Sequence, residues 1–281
     1  MSSDPSAAEI TRKAKSNLAF ALRCVPADRR RHLVSFYAFC RVIDDLADDL
    51  ELPLEEKKKG LAGWKEIFSK KTTDGDLGLV DLQSDILKVR EIYEIPSEYL
   101  TNVIDGCQMD LQPQRFETWQ DLQAYTYRVA SSVGLVCLPL FGADVSRSHE
   151  YAVALGHALQ LTNILRDIGE DLSNGDRIYV PLHDLRRFEY TENDLMGRVH
   201  DERFIAFMKD QTNRCEELYA KATKLLPAED HKALLAPRVM HRIYYTLLQQ
   251  MRADNFRVFD RRYRLSKLQK ISLLMQERFF G

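Results

Sequence analysis

The chain has 281 residues, of which 40 are Lys or Arg and 42 are Asp or Glu, so its formal net charge is −2. This balance argues against a general nucleic-acid binder, which normally carries a clear basic excess. A hydrophobic fraction of 45% with 29% charged residues is typical of a soluble globular protein, and low Gly and Pro with abundant Leu favour helix over sheet. Composition therefore excludes overall disorder and disfavours all-β and collagen-like folds.

The cysteines and histidines show no metal-ligand spacing. There are five scattered Cys without a CxxC pair and seven His without an HExxH motif, so neither a disulfide framework nor a zinc site is expected. The N-terminus lacks the apolar run of a secretory signal. The least polar stretch, residues 133–143, is about half of the ~20 residues that a spanning helix needs. We therefore expect a cytoplasmic protein and leave peripheral contact with a membrane surface open.

Helical periodicity dominates the chain. Apolar residues recur at i, i+3, i+4 and i+7 over 29–50, which predicts an amphipathic helix that stops before Pro53. The same pattern over 148–172 predicts a second long helix that ends at Asn174-Gly175. Weaker patterns predict helices over 6–24, 54–70, 78–94, 97–111, 118–141, 200–226, 230–256 and 265–280, and loops over 72–78 and 176–184. The prediction is one all-α domain over residues 1–281, with roughly ten helices.

The first long helix carries a polar cluster near its C-terminal end. Tyr37, Arg41, Asp44 and Asp48 fall on one face, and two further aspartates stand beside them. An acidic, solvated helix end is one reading of this cluster. However, carboxylates repel at this spacing, and the helix dipole disfavours each acid in the last turns by about 0.3–1 kcal/mol. A bound cation would offset these costs.

The second long helix repeats this arrangement. Gln160, Asn163, Asp167 and Asp171 lie at i, i+3, i+7 and i+11 on one face, with Arg166 beside them. Alone, this cluster would fit the polar outer face of an amphipathic helix equally well. Two Asp-x-x-x-Asp pairs about 120 residues apart are less easily explained that way. If the two helices face each other, four carboxylates surround one cavity.

Such a cavity favours Mg²⁺, which prefers oxygen ligands and bridges carboxylates to substrate phosphates. We expect the carboxylates to lack an arginine partner each, so that the metal is required. The sequence contains neither GxxxxGK[ST] nor GxGxxG, which disfavours a nucleoside triphosphate. A diphosphate held through metal and basic side chains fits better, with Arg41, Arg166 and Arg177 as candidates. Because the surrounding helix faces are apolar, an isoprenoid diphosphate is the expected substrate.

At these residues the chain resembles a known family. Tyr37–Asp49 and Gln160–Pro181 resemble the two aspartate-rich motifs of the squalene/phytoene synthases, which join prenyl diphosphates head to head. Weaker matches follow in Asp105–Asp110, Tyr125–Gly134 and a C-terminal segment from Tyr244 to residue 270. The resemblance covers nearly the whole chain. It implies an all-α isoprenoid synthase domain around a central cavity.

The resemblance also implies residue roles. The metal ligands, direct or through water, would be Asp44, Asp48, Asp167 and Asp171. Diphosphate contacts would come from Tyr37 and Arg41, and orientation of the second site from Gln160 and Asn163. Tyr125 matches a tyrosine associated with the first half-reaction, where it could relay a proton to bound diphosphate.

Two positions depart from the family pattern. Residues 15–18 read Lys-Ser-Asn-Leu where the family often has S-x-S-F, which removes one hydroxyl contact to phosphate. Ser131 stands where the family commonly has glycine, and we expect it to narrow the cavity slightly. A basic run from Arg252 to Lys267 reads either as a solvated face or as a contact for anionic lipid or diphosphate.

The expected reaction condenses two farnesyl diphosphates to presqualene diphosphate, in hopanoid, carotenoid or sterol biosynthesis. The sequence leaves open whether the reaction continues to squalene or dehydrosqualene, whether NADPH is used, and the oligomeric state. One alternative is phytoene synthesis from two geranylgeranyl diphosphates. Another is a non-catalytic assembly or binding relative, which the two intact acidic motifs disfavour.

Overall fold

The computed structural model describes residues 5–13, 20, 24–49 and 51–280. The helices of this part of the chain are α1 (Ala7–Lys13), α2 (Ala27–Asp48), α3 (Leu54–Lys70), α4 (Val80–Ile92), α5 (Ser97–Met109), α6 (Trp119–Thr126), α7 (Ser132–Phe141), α8 (Val145–Ser173), α9 (Leu182–Arg187), α10 (Glu192–Met196), α11 (Glu202–Leu225), α12 (Leu235–Ala253) and α13 (Lys267–Phe280). The prediction of an all-α fold is confirmed. Residues 15–18, which carry the departure from S-x-S-F, lie outside the described residues.

The predicted helices that lie in the described residues are found with shifted ends. The prediction over 6–24 is matched over Ala7–Lys13, and its residues 14–19 and 21–23 lie outside the described part of the chain. Several local features differ. The segment 118–141 is interrupted by a π-helical turn over Tyr127–Ser131, which joins α6 to α7. The predicted loop over 72–78 contains a 3₁₀ turn at Gly75–Leu77, and the loop over 176–184 ends in α9, which begins at Leu182. The short helix α10 was not predicted. None of the described helices has both the length and the apolar character to span a bilayer.

The central element is α8. Its N-terminus is capped by Asp144, whose side chain accepts a hydrogen bond from the Arg147 amide at 2.9 Å. Its C-terminus is followed by Gly175, which has a φ of +87° that favours glycine. Between these ends, buried residues occur on almost every face, and α8 packs along α7, α11 and α12. Buried apolar side chains from Val25 to Leu265 form one continuous core around it.

A small residue allows α8 to approach the π turn closely. A Cβ atom at Gly156 would lie 2.5 Å from the Ser131 Cα atom, which is inside the closest normal contact. Next to this crossing, the Ser131 hydroxyl donates a hydrogen bond to the Val153 carbonyl at 3.0 Å. The absence of a side chain at Gly156 therefore sets the distance between α8 and the helix that carries Tyr125.

We expect Gly156→Ala to lower the thermal midpoint by several degrees, although alanine favours helix by about 1 kcal/mol over glycine. The added methyl group would collide with backbone that cannot rotate away, and overpacking of this kind costs about 1–3 kcal/mol. Gly75→Ala is the matched control because a Cβ there meets nothing within 4 Å. Circular dichroism melts would measure both variants, and an unchanged midpoint for Gly156→Ala would show that the helices can separate freely.

Candidate active site

The structure brings the four predicted aspartates into one polar cavity of about 150 Å³. Asp44 and Asp48 come from the last turns of α2, and Asp167 and Asp171 come from the last turns of α8. The other polar lining residues are Asp110, Tyr125, Gln160, Asn163, Arg177 and Tyr179. The cavity therefore combines carboxylate, amide and phenol oxygens with one guanidinium group.

Arginines neutralise most of these carboxylates, which corrects the expectation that they lack such partners. Asp44 pairs with Arg41 at 2.7 Å and Asp48 pairs with Arg177 at 2.9 Å. Arg41 also contacts Asp45, on the outer side of α2. Within the described part of the chain, Asp171 alone of the four has no ion pair.

Asp167 is held by two arginines at once. The adjacent Arg166 donates to both of its oxygens, at 2.8 and 2.6 Å. Arg262, from the segment before α13, reaches the same two oxygens at 3.0 and 3.1 Å and also pairs with Glu170 at 2.7 Å. Arg262 was not predicted as a site residue, although it lies in the basic run from Arg252 to Lys267 that was read as a solvated face or a contact for anionic lipid or diphosphate. Its pairing with Asp167, 95 positions away, has no local signal.

Burial and mutual repulsion shift the titration of this cluster. Burial raises the pKa of Asp171 to about 7, and the charge of Asp167 adds to this shift. Burial likewise raises the pKa of Asp44 to about 6, with Asp48 and Asp45 adding to it and Arg41 opposing it. Such shifts occur where ionised carboxylates are insufficiently solvated or neutralised. The site therefore has an electrostatic demand for further positive charge.

A third acid connects the cavity to two tyrosines. Asp110, at the end of α5, accepts hydrogen bonds from the hydroxyl of Tyr125 at 2.9 Å and from the hydroxyl of Tyr179 at 2.8 Å. The two phenol rings stack with centroids 5.3 Å apart. Burial raises the pKa of Asp110 to about 6, while the two hydrogen bonds lower it. Asp110 and Tyr179 were not predicted as site residues, although the Asp105–Asp110 match contained the signal for Asp110; Asp105 instead pairs with Lys65.

A second, apolar cavity of about 210 Å³ adjoins the polar one. Gln160 and Asn163 line both cavities, so the two spaces meet at these amides. From there the apolar cavity runs between α7 and α8, and its wall includes Val133, Leu155 and Phe141. The predicted narrowing by Ser131 is wrong, because Ser131 is not among the lining residues and its hydroxyl is bonded to Val153.

Three predicted residues stand outside the lining of the polar cavity. Arg166 lies behind Asp167, and Arg41 lies beside Asp44 and contributes to an outer groove. Tyr37 is half-buried on the same helix. In this conformation Arg41 and Arg166 act on the carboxylates rather than facing the space where a diphosphate would sit.

The donor set fits Mg²⁺. Asn163 Oδ1 is buried and has no hydrogen-bond partner among the described residues, as expected of an oxygen that faces a ligand. No three carboxylate, imidazole or thiol groups of the described chain lie close enough to hold one ion between them. Mg²⁺ retains several waters and takes one or two carboxylates together with substrate phosphates, so its binding does not require three protein ligands at one point.

Sequence comparison finds relatives over nearly the full length. The profile of the family described as squalene/phytoene synthase matches residues 11–269. A presqualene diphosphate synthase of Zymomonas mobilis is 32% identical and covers 98% of this chain and 93% of the relative. A 15-cis-phytoene synthase of Synechocystis is also 32% identical, over 90% of this chain and 78% of the relative.

The fold agrees with these relatives. The crystal structure of a dehydrosqualene synthase in complex with a ligand superposes with a TM-score of 0.81 at 27% identity, over 97% of this chain and 94% of the other. The class is therefore that of the all-α isoprenoid synthases, as predicted. Within this class the chain belongs to the squalene/phytoene synthase family, whose enzymes are head-to-head prenyltransferases and are generally Mg²⁺-dependent.

We expect Asp171→Asn to stabilise the metal-free protein. The folded-state pKa of Asp171, about 7, lies above its ordinary value of 3.8, so ionising this group costs folding free energy. The increase in unfolding free energy of Asp171→Asn over wild type should be largest above pH 7, decline as the pH falls towards 4, and vanish below that. Thermal melts in EDTA across this range would measure it.

The control for this prediction is Glu217→Gln, which removes an exposed charge from α11 and should change the midpoint by about the same small amount at every pH. A midpoint for Asp171→Asn that is lower than wild type at pH 8 would contradict the electrostatic account of the cavity.

Proposed function

We propose that the protein condenses two farnesyl diphosphates head to head to give presqualene diphosphate. The observation that carries the proposal is the junction at Gln160 and Asn163, where an aspartate-lined cavity meets an apolar one. A molecule with a diphosphate at one end and a long apolar chain at the other matches both spaces at once. The continuous apolar core around α8 further supports one synthase domain over residues 1–281.

The carboxylates at the ends of α2 and α8 are proposed to hold the cations. These residues are Asp44, Asp48, Asp167 and Asp171. Bound Mg²⁺ supplies Lewis-acid chemistry at the leaving oxygens of a diphosphate. The same cations would neutralise Asp171, which has no arginine partner in the described chain, and restore the ionised form of carboxylates whose pKa burial raises.

The arginines are proposed to change partners when substrate binds. Arg177 already lines the polar cavity, and its guanidinium is 2.9 Å from Asp48. With cations held by the carboxylates, Arg41, Arg166 and Arg177 would be available to bind diphosphate oxygens, for which the guanidinium fork is well suited. Tyr37, on the same face of α2 as Arg41, would contact diphosphate beside it.

Tyr125 and Asp110 are proposed to accept and transfer the proton that leaves when the cyclopropane ring closes. Burial and the neighbouring Asp110 raise the pKa of Tyr125 well above its usual value, so its hydroxyl keeps its proton and cannot act as a base alone. Asp110 Oδ2 accepts that hydroxyl hydrogen at 2.9 Å. The phenol oxygen could accept the proton that leaves the substrate carbon while its own proton passes to Asp110 Oδ2, from which it could move on to bound diphosphate.

The apolar cavity is proposed to accept the isoprenoid chain and to exclude water from the reacting carbons. Its volume of about 210 Å³ falls below the ~300–1,000 Å³ typical of ligand pockets, so it must enlarge for either substrate. The farnesyl chain, which is the shorter of the two, requires the smaller enlargement. The second candidate is phytoene synthesis from two geranylgeranyl diphosphates. The Synechocystis relative favours it, because that phytoene synthase is as similar as the presqualene diphosphate synthase.

The proposal also covers the location of the protein in the cell. We infer a cytoplasmic protein in peripheral contact with a membrane, because the proposed substrates and products carry long apolar chains. Whether the reaction continues from presqualene diphosphate to squalene or dehydrosqualene, with or without NADPH, is tested by product analysis.

We expect purified protein with farnesyl diphosphate and Mg²⁺ to release presqualene diphosphate whether or not NADPH is present. Mass spectrometry of the products, with geranylgeranyl diphosphate tested in parallel, would identify the reaction. Squalene formed only with NADPH would extend the proposal. A forty-carbon product would replace it with phytoene synthesis, and no product from either substrate would favour a non-catalytic relative. EDTA should stop turnover, and added Mg²⁺ should restore it.

We expect Asp44→Asn and Asp171→Asn each to reduce turnover by at least about a thousandfold, the size of effect seen when electrostatic stabilisation of a transition state is lost. Both should retain wild-type circular dichroism, because each removes a charge that the fold disfavours. Asp28→Asn is the matched control on the same helix: it removes an exposed acid that does not line the cavity, and it should keep wild-type turnover. Full activity in both cavity variants would reject the site.

A further inference from the structure

The C-terminal helix α13 exposes a row of large apolar side chains. Leu268 is 79% exposed, Ile271 48%, Met275 48% and Phe279 64%. These positions follow i, i+3, i+7 and i+11, so the four side chains form one stripe along a helix of 14 residues. No other described helix exposes as many large hydrophobic residues. We call these four residues the α13 stripe.

The opposite face of α13 is fixed to the body of the protein. Glu277 is buried and pairs with Arg238 of α12 at 2.5 Å. Arg238 also donates to the Glu277 backbone carbonyl at 3.3 Å, while Leu273 and Leu274 pack against the core. Because a buried ion pair holds the inner face, the α13 stripe faces outward as a stable property of the fold.

Charge around the stripe is strongly asymmetric. Residues 257–281 contain seven basic and two acidic residues, a net +5, whereas the other 256 residues contain 33 basic and 40 acidic residues, a net −7. Several of the basic side chains form ion pairs, but Arg264, Lys267 and Arg278 are exposed and form none within the described chain. The α13 stripe is thus accompanied by unpaired positive charge on a protein that is otherwise acidic.

We propose that α13 docks on an anionic lipid bilayer surface, with its stripe buried in the interface and its basic residues at the headgroups. An amphipathic helix with apolar residues on one face and Lys and Arg beside them has the composition of an interfacial helix. A second copy of the chain fits less well, because a contact between two α13 stripes would bring like charges together.

The position of α13 would bring the bilayer close to the candidate active site; this step rests on the proposed function. Arg262, five residues before α13, contacts Asp167 in the polar cavity, so the helix begins beside the candidate active site. A bilayer bound to α13 would therefore lie next to the cavities that take a long apolar chain and release a longer one. Substrate and product could then exchange with lipid without crossing open water.

The test measures binding to vesicles by co-sedimentation, with the full chain. Phosphatidylcholine vesicles containing about one-third phosphatidylglycerol should bind wild type at least about tenfold more tightly than pure phosphatidylcholine vesicles. The double variant Leu268→Ser/Phe279→Ser, and separately Lys267→Glu/Arg278→Glu, should each lose at least about tenfold in affinity for the mixed vesicles.

Matched controls make the same kinds of substitution on helices other than α13, to test whether binding depends on α13 itself. Ile92→Ser removes an exposed apolar residue from α4 that is 58% exposed, and Lys209→Glu/Lys224→Glu reverses two exposed charges on α11. These variants should bind mixed vesicles as wild type does. Circular dichroism melts would show that each variant is folded.

The outcomes separate docking from catalysis. Equal vesicle binding by wild type and both α13 variants would overturn the docking. So would a wild-type protein that binds no vesicles but forms dimers, if the α13 variants abolish those dimers. Product formation in detergent, without vesicles, should be unchanged in the α13 variants. Wild type that binds vesicles but forms no product in detergent would overturn the proposed function and leave the docking intact.

Discussion

Repulsion among partly buried carboxylates is the constraint on which the rest of this structure depends. Two helices end with aspartates that point into one cavity, although each helix dipole and each neighbouring acid opposes this placement. Arginine side chains offset part of this repulsion by pairing with the carboxylates. Arg41 and Arg166 come from the same helices as the acids they neutralise, whereas Arg177 and Arg262 come from other segments. The pKa of Asp171, about 7, shows that the neutralisation is incomplete.

Incomplete neutralisation has a functional consequence. Had every carboxylate been matched by a fixed arginine, a cation would gain little by entering, and a diphosphate would find no free positive charge. Because guanidinium groups and metal ions compete for the same oxygens, the proposed cations would free arginines to bind the anionic substrate. Under the proposed function, the same arginines would pair with the carboxylates before substrate binds and with the diphosphate afterwards. Exchanging partners costs less than leaving a buried charge unpaired.

Sequence periodicity identified the two long helices and the face on which each aspartate pair lies, because a helix places residues i and i+4 together whatever surrounds it. Contacts between distant segments were beyond its reach. Tyr179 meets Asp110 across 69 positions, and only the folded chain shows the pair. The π turn at Tyr127–Ser131 was also missed, because the sequence pattern over residues 118–141 is that of one continuous helix.

The formal charge of −2 illustrates how a whole-chain average can conceal a local property. It argues against a general nucleic-acid binder, yet it combines a C-terminal segment of +5 with a remainder of −7. Electrostatic attraction to a surface depends on the charge within about a Debye length, roughly 8 Å at physiological salt, and not on the total. The acidic cavity and the basic α13 are linked through Arg262, which belongs to the basic segment and contacts Asp167. Separation of charge along the chain thus places acidic side chains in the central cavity and basic side chains beside α13.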